Sequence, residues 1–440
     1  MQPINKIITL AVFLVSITGM ISGCQISTGS PHARETSSLI SVDTADASGA
    51  YFTMDHLQQP VLCWTEKISD KEGHVMKFAT FEALHQRFGE PVTVTSSTGT
   101  RAHDESMNKI AFKEDGTVVA MFAIKHPTEE NRFAGSIMYS LSSDEGKTWT
   151  SPEYLHDDTA KTYGRSFFDI ATLPDGEVGA IWLDGRFGDA STGSVIFFDK
   201  TEEGTGFGLD KQVGESTCEC CRTDLFVDPA GNVHIAYRDI LFPPTLMGQV
   251  RDMVHSISYD GGQTFSNAKR ISEDNWAIEG CPHTGPSLAV NRHGLHAVWF
   301  TAGGDEGVYH VSSTDNGQTF TTREKISKTA RHPQMISLPS GALAVVWDEF
   351  QGHSEEQHHS GSHGNNAHHA QKNSGSLIMM QVREPGSNIK TINVTRNAAE
   401  ASHPVVTVLQ DHKLLVAWTQ KKHQKKGIYY ATVDLKVYLP

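Results

Sequence analysis

Between residues 51 and 435 the chain repeats one pattern of apolar and polar positions. A short apolar run is followed by a turn rich in Gly, Asp or Asn, then by an alternating run that ends on a large aromatic. Phe168–Trp182 (FDIATLPDGEVGAIW), Asp224–Tyr237, Pro286–Trp299, Pro333–Trp347 and Pro404–Trp418 all read this way. Asn108–Phe122 is a sixth copy and Tyr51–Trp64 a weaker seventh. Alternation on both sides of a turn signal predicts a β-hairpin. The terminal aromatics are Trp64, Phe122, Trp182, Tyr237, Trp299, Trp347 and Trp418, and they recur every 48–71 residues. That spacing holds four short strands, so the chain predicts an all-β propeller of four-stranded blades. Seven hairpins give seven blades, and six is the alternative if the N-terminal copy belongs to the last blade. After Trp418 only Gly427–Leu435 reads as a further strand, which leaves Leu39–Val42 to complete the last blade and close the ring.

Three repeats share a second signal: Ser142-x-Asp144-x-Gly146-x-Thr148-Trp149, Ser258-x-Asp260-x-Gly262-x-Thr264-Phe265 and Ser313-x-Asp315-x-Gly317-x-Thr319-Phe320. Asp bonds the turn backbone, Gly takes the left-handed position, and the aromatic packs between sheets. This motif resembles the Asp-box (BNR) repeat of sialidase-like propellers, where the boxes lie at outer turns and diagnose architecture.

Composition narrows the function classes. The net charge is −14, from 37 basic and 51 acidic residues. No broad basic face is available to neutralise phosphates, which argues against a nucleic-acid binder. With 38% hydrophobic residues and 38 glycines the chain suits a large, turn-rich β core. Ile7–Ile21 is an apolar run too short to span a membrane comfortably. It ends in Ile21-Ser22-Gly23-Cys24, which resembles the lipobox of bacterial lipoproteins. The expectation is a signal peptide over residues 1–23, a lipidated Cys24 and a Ser/Thr-rich tether through residue 50. Gln25 after that cysteine points to the outer membrane of a Gram-negative cell envelope, and a plain signal peptide is the alternative. The propeller itself is expected over residues 51–435, as a monomer.

In a propeller, inner strands start and second strands end at one face, over the central channel. Ahead of the inner strands come Arg101, His103, Asp104, Arg165, Cys221-Arg222, Cys281-Pro282-His283, Arg331-His332 and His403. At the ends of second strands come Glu66, Lys125-His126, Asp184-Gly185-Arg186, Arg238-Asp239 and Asp348-Glu349. Arg165, Arg222 and Arg331 are three guanidinium groups suited to fork onto one carboxylate. The competing reading is a set of blade-to-blade salt bridges, for which Asp184/Arg186 and Arg238/Asp239 are the strongest candidates.

Trp182-Leu-Asp-Gly-Arg186, Cys218-x-Cys-Cys-x-Thr-Asp224, Tyr237-Arg-Asp239, Trp276-x-Ile-Glu-Gly-Cys-Pro282 and Gly285-Pro286 make most of residues 50–435 resemble bacterial sialidase-like Asp-box propeller proteins. The resemblance implies exo-α-sialidase chemistry without a cofactor: an arginine triad, an acidic proton donor, and a tyrosine nucleophile paired with a glutamate. Carried onto this chain, the catalytic candidates are Asp104 as acid with Arg165, Arg222 and Arg331. Arg101, Arg186, Arg238, Asp239 and His403 would bind the substrate, an acidic glycan or another small anion. Two departures stand against hydrolysis. The first blade has no Arg-Ile-Pro motif, and Tyr429 and Tyr430 fall on a third strand, away from the axis. A non-catalytic glycan- or protein-binding propeller is therefore the second form of this reading.

The rival class is a metal-binding envelope protein. Without Cys24 the chain keeps Cys63, in an apolar strand, and Cys218, Cys220, Cys221 and Cys281 ahead of two neighbouring inner strands. For an exported protein these suit disulfides, with Cys220 or Cys221 to Cys281 the natural pair. The alternative is that, with His283, they form a copper or zinc site. A Gly/Ser/His insertion at 353–373 adds His353, His358, His359, His363, His368 and His369, a composition suited to loose capture of Cu²⁺, Zn²⁺ or Ni²⁺.

Overall fold

Each predicted hairpin becomes the inner pair of strands of one antiparallel sheet, and seven such sheets form the ring. The computed structural model describes residues 37–68, 73–351, 375–384, 389–395, 400–410 and 412–437. The expected signal peptide, Cys24 and the His-rich insertion fall outside these described residues. The inner strands of blades 1 to 7 are Ala47–Met54, Lys109–Phe112, Arg165–Thr172, Asp224–Val227, Ser287–Asn291, Ala330–Ser337 and Ala401–Gln410. The N-terminal hairpin has its own sheet, so the count is seven and not six. Ser38–Leu39 pairs with Lys425–Asp434, setting Ser38 opposite Tyr430 and Leu39 opposite Tyr429. The outer strand of blade 7 thus comes from the N-terminal side of the chain. The ring begins at Ser38, inside the stretch expected to be tether.

The seven aromatic anchors all lie on second strands and are at most 2% exposed. All but Phe122 share a core cluster with residues of the preceding blade. Trp182 packs with Val119 and Met121, Trp418 with Ala344 and Val346, and Trp64 with Leu415 and Ala417 of the closing blade. Burying one such ring contributes about 1.5–3 kcal/mol.

The Asp-boxes join third to fourth strands in blades 2, 4 and 5. In the first, Asp144 Oδ1 accepts from the Thr148 amide at 2.8 Å and Oδ2 from the Thr148 hydroxyl at 2.7 Å. The same bonds recur at Asp260 and Asp315. Gly317 has φ +81°, and a Cβ there would lie 2.2 Å from the His255 ring of blade 4. The box glycine is therefore fixed by the neighbouring blade as well as by its own turn.

The axis is closed by side chains that cap the next blade. Asp169 accepts from the Leu225 amide at 2.9 Å, Asp224 from the Leu288 amide at 2.7 Å, and Ser287 Oγ from the Met335 amide at 3.0 Å. Lys109 pairs with Asp169 at 2.7 Å, both nearly inaccessible to solvent. Burial, reinforced by the charge of Asp169, raises Asp224 to about 7. These contacts link the inner strands of blades 2 to 6 in succession.

Candidate functional site

Four inner strands carry the same irregularity where they enter the ligand face. Pairing slips by one residue between Ser48 and Tyr51, Ser166 and Asp169, Arg331 and Gln334, and Ser402 and Val405. The residue inside each bulge is left-handed: Gly49 at φ 72°, Phe167 at 49°, His332 at 48° and His403 at 54°. For a residue with a Cβ that conformation costs about 1–3 kcal/mol, and a bulge re-aims the side chain it carries. His283, in the loop before blade 5, is left-handed too, at φ 59°. These histidines meet the loop before blade 2, which supplies His103, Asp104 and Glu105. Together with Lys421 and Lys426 of blade 7 they line a cavity of about 760 Å³.

The groups in the cavity hold one another in place. Glu105 is buried; its Oε2 accepts from Arg222 Nε at 3.2 Å and its Oε1 lies 4.0 Å from His403 Nε2. His332 Nδ1 contacts Asp348 at 2.7 Å, His403 Nδ1 contacts Ser402 Oγ at 2.9 Å, and the two rings stack with centroids 3.9 Å apart. Burial opposes protonation of His332, but the charge of Asp348 outweighs it and lifts the imidazole to about 9. Burial and then the His332 charge push His403 down. His103 Nδ1 accepts from the amides of Glu105 and Ser106 at 3.0 and 2.9 Å, which places its proton on Nε2. Burial, with Arg101 and His283 adding, takes His103 to about 3, so it is neutral at pH 7. Asp104 accepts from Lys426 at 2.7 Å and from Thr419 at 3.0 Å. Burial would raise it, yet His403 and Lys426 hold it well below the usual carboxylate range. It is an ionised anchor at neutral pH, which does not suit the proton-donor role expected of it.

The three arginines expected to share one carboxylate do not converge. Arg165 is enclosed, with Nε on Asp184 at 2.9 Å, Nη2 3.2 Å from Asp158, and Nη1 on the Ala160 carbonyl at 2.7 Å. Arg222 lies beneath the cavity, on Glu105 and on the carbonyls of Gly285 and Pro333. Arg331 pairs with Glu306 at 2.5 Å and stacks over Phe300. Their positions in the sheet differ: Arg222 stands two residues before the first pair of its strand, whereas Arg331 and Arg165 are already paired, with Asp348 and Asp184, ahead of the bulges of theirs. Their separate acidic partners, Glu105, Glu306 and Asp184, hold the three groups apart.

The remaining candidates divide the same way. Arg186 is spent on Asp157, Asp184 and Asp210. Arg238 is inaccessible, donating to the Arg251 and Phe300 carbonyls and lying over Trp276. Asp239 keeps a buried Oδ1 without a partner, and burial raises it to about 7. None of the three lines the cavity, and the salt bridge expected of Arg238 and Asp239 is not among the ion pairs of the described residues. His403 alone of the substrate-binding set lines the cavity; Arg101 does not line it, although its charge reaches His103.

The cysteine–histidine set also separates. The Cys218 sulfur lies 3.5 Å from Cys221 and 3.9 Å from Cys220, all three buried, with Arg251 donating to Cys218 at 3.2 Å. A disulfide needs about 2.05 Å, and none of the five described cysteines is joined to another at that distance. Cys281 is exposed and engages the Cys220 thiol. His283 is elsewhere, its ring against His103 and Phe167 in the cavity. Cys63 is a lone core thiol that burial pushes up to about 12. Glu105 was not singled out from sequence; its only signal was an acidic pair, Asp104-Glu105, in a loop that also carries His103.

Residues 66–281 match the family model described as a BNR repeat-like domain. No curated protein matches the chain. Among solved structures, the polysaccharide lyase Uly1 superposes with a TM-score of 0.53 at 11% identity, over 90% of this chain and 91% of that one. The NanB sialidase of Streptococcus pneumoniae gives 0.49 at 10% identity, over 88% and 85%. The Hadza microbial sialidase Hz136 gives 0.47 at 11% identity, over 84% and 75%.

Proposed function

We propose that this chain, a seven-bladed sialidase-like BNR-repeat propeller, binds an acidic glycan in its mouth cavity without cleaving sialosides. The observation that carries this reading is the lining. Imidazoles, carboxylates and two lysines dominate, and the few small apolar residues are Ala47, Ala102 and Pro282. Most small-molecule sites of about 300–1,000 Å³ are largely apolar. A wall with this density of donors and acceptors suits a ligand rich in hydroxyl groups, and Lys421 and Lys426, paired with Glu400 and Asp104 but each about half exposed, can also meet a ligand carboxylate. The described lining residues include no arginine and no tyrosine, so the groups that sialidase chemistry needs are not gathered there. A polysaccharide lyase among proteins of the same fold agrees with a glycan ligand. Lipidated Cys24 would hold the propeller at the outer membrane. The test is turnover of a fluorogenic sialoside beside binding to immobilised acidic oligosaccharides. Binding without turnover is expected; sialic acid release would restore the hydrolase reading.

A second reading rests on the separate observation that Cys218, Cys220 and Cys221 bring three sulfurs within 4.8 Å of one another. Three thiolates suit copper(I) or zinc, with Cys281 as a fourth ligand from the next blade. Protein purified without reductant is expected to show several titratable thiols and about one bound soft metal ion. About one free thiol and no metal would mean disulfides instead.

A further inference from the structure

We propose that Glu105, His332 and His403 form a second, independent metal site, one for a divalent cation such as zinc at the base of the mouth cavity. Their ligating atoms lie within 4.8 Å of one another, and each residue comes from a different blade or inter-blade loop. What marks the trio as a built site is that every member has its non-ligating end occupied. His332 spends Nδ1 on Asp348 and His403 spends Nδ1 on Ser402, so each ring keeps Nε2 for the cation, with any proton there released as the ion binds. Glu105 gives Oε2 to Arg222 and turns Oε1 toward His403 Nε2. Metal-binding histidines are held in this way, by a partner on the other ring nitrogen that fixes tautomer and orientation. Two imidazoles with one carboxylate is a known zinc donor set that leaves a coordination position open, and here the open side faces the cavity.

Two features could argue against the site, and neither does. Arg222 is a buried cation close by, but its guanidinium is committed to Glu105 Oε2 and to the carbonyls of Gly285 and Pro333. It therefore braces the carboxylate without occupying the space between the ligands. The present spacing is wider than a loaded site requires, since ligands at about 2.1 Å from zinc stand about 3.4 Å apart. Closure requires the two imidazoles, now stacked at 3.9 Å with planes 26° apart, to tilt until their Nε2 lone pairs converge on the ion. His283 adds a buried Nδ1 with no hydrogen-bond partner to the same cavity wall.

The proposal differs from the cysteine cluster in donor chemistry, and the test uses that difference. Purified full-length protein is stripped with chelator and titrated with Zn²⁺ against a chromophoric competitor, then with Co²⁺ for its spectrum. Asparagine tolerates the left-handed conformation, so His332→Asn and His403→Asn keep the bulges. Each variant is expected to lose one tight equivalent, or to weaken it at least a hundredfold. The triple Cys218→Ser/Cys220→Ser/Cys221→Ser variant should retain that equivalent and show visible Co²⁺ bands without a sulfur charge-transfer band. Should a histidine variant melt early, Ser402→Ala is the second arm, with about tenfold weaker binding expected from loss of an outer partner. Equal number and affinity of tight equivalents in wild type and in every folded variant would overturn the site. The titration contains no glycan, so its failure leaves glycan binding untouched, and absent glycan binding leaves the metal result standing.

Discussion

Replacing Arg165 by alanine is expected to lower the unfolding free energy by about 3–5 kcal/mol, the usual consequence of removing one member of a buried ion pair. The folded fraction should bind glycan with unchanged affinity. The Arg165 side chain is inaccessible and bonds to Asp184, itself fully buried, which also accepts from Trp182 Nε1 and Arg186. Alanine leaves a carboxylate with one cation where it had two, and strands the Ala160 carbonyl that Arg165 satisfies. Urea unfolding and glycan titration on the same preparation read both quantities. An affinity loss with unchanged stability would return Arg165 to the ligand site.

A comparable loss is expected for Lys109→Met at the axis, where the apolar stem is kept and the charge removed. Lys109 donates to Asp169 and to the Phe168 carbonyl, and Asp169 in turn holds the Leu225 amide of the next blade. Without the ammonium a buried carboxylate faces Asp224 with nothing to balance it, at about 3–5 kcal/mol. The double variant Lys109→Met/Asp169→Asn should recover a substantial part of the loss, because asparagine still accepts the Leu225 amide and carries no charge. If the double variant is as unstable as the sum of the two singles, the stabilisation does not come from the pair.

The architecture was legible because it rests on period and spacing. The hairpin alternation, the seven anchors and the Asp-boxes each survive a shift of a residue or two, and so did the closing strand near Leu39. The site was legible only in part, because it depends on single-residue register. Arg165, Arg222 and Arg331 look equivalent along the chain, each just ahead of an inner strand. Arg165 and Arg331 are paired ahead of the bulges in blades 3 and 6, Arg222 stands before an unbulged strand in blade 4, and each meets its own acidic partner. The same insertion turns His332 and His403 into the cavity, and no composition signal announces a bulge filled by Phe167 in one blade and histidine in two others. His283 follows Cys281 by two residues, yet its left-handed backbone carries it away from the sulfurs toward His103. Glu105 acquires its place only once Arg222, 117 residues on, is folded beneath it.

In the proposed function the ligand site is the histidine- and carboxylate-lined mouth and not the arginines ahead of the inner strands. This is tested most directly by titrating one acidic oligosaccharide into wild type, His403→Asn and Arg331→Ala. His403 lines the cavity in a conformation that asparagine tolerates, whereas Arg331 sits outside it on Glu306. At least tenfold weaker binding by His403→Asn, about 1.4 kcal/mol, with wild-type affinity for Arg331→Ala, is the predicted result. Loss of binding on replacing Arg331, with His403→Asn unaffected, would contradict the account.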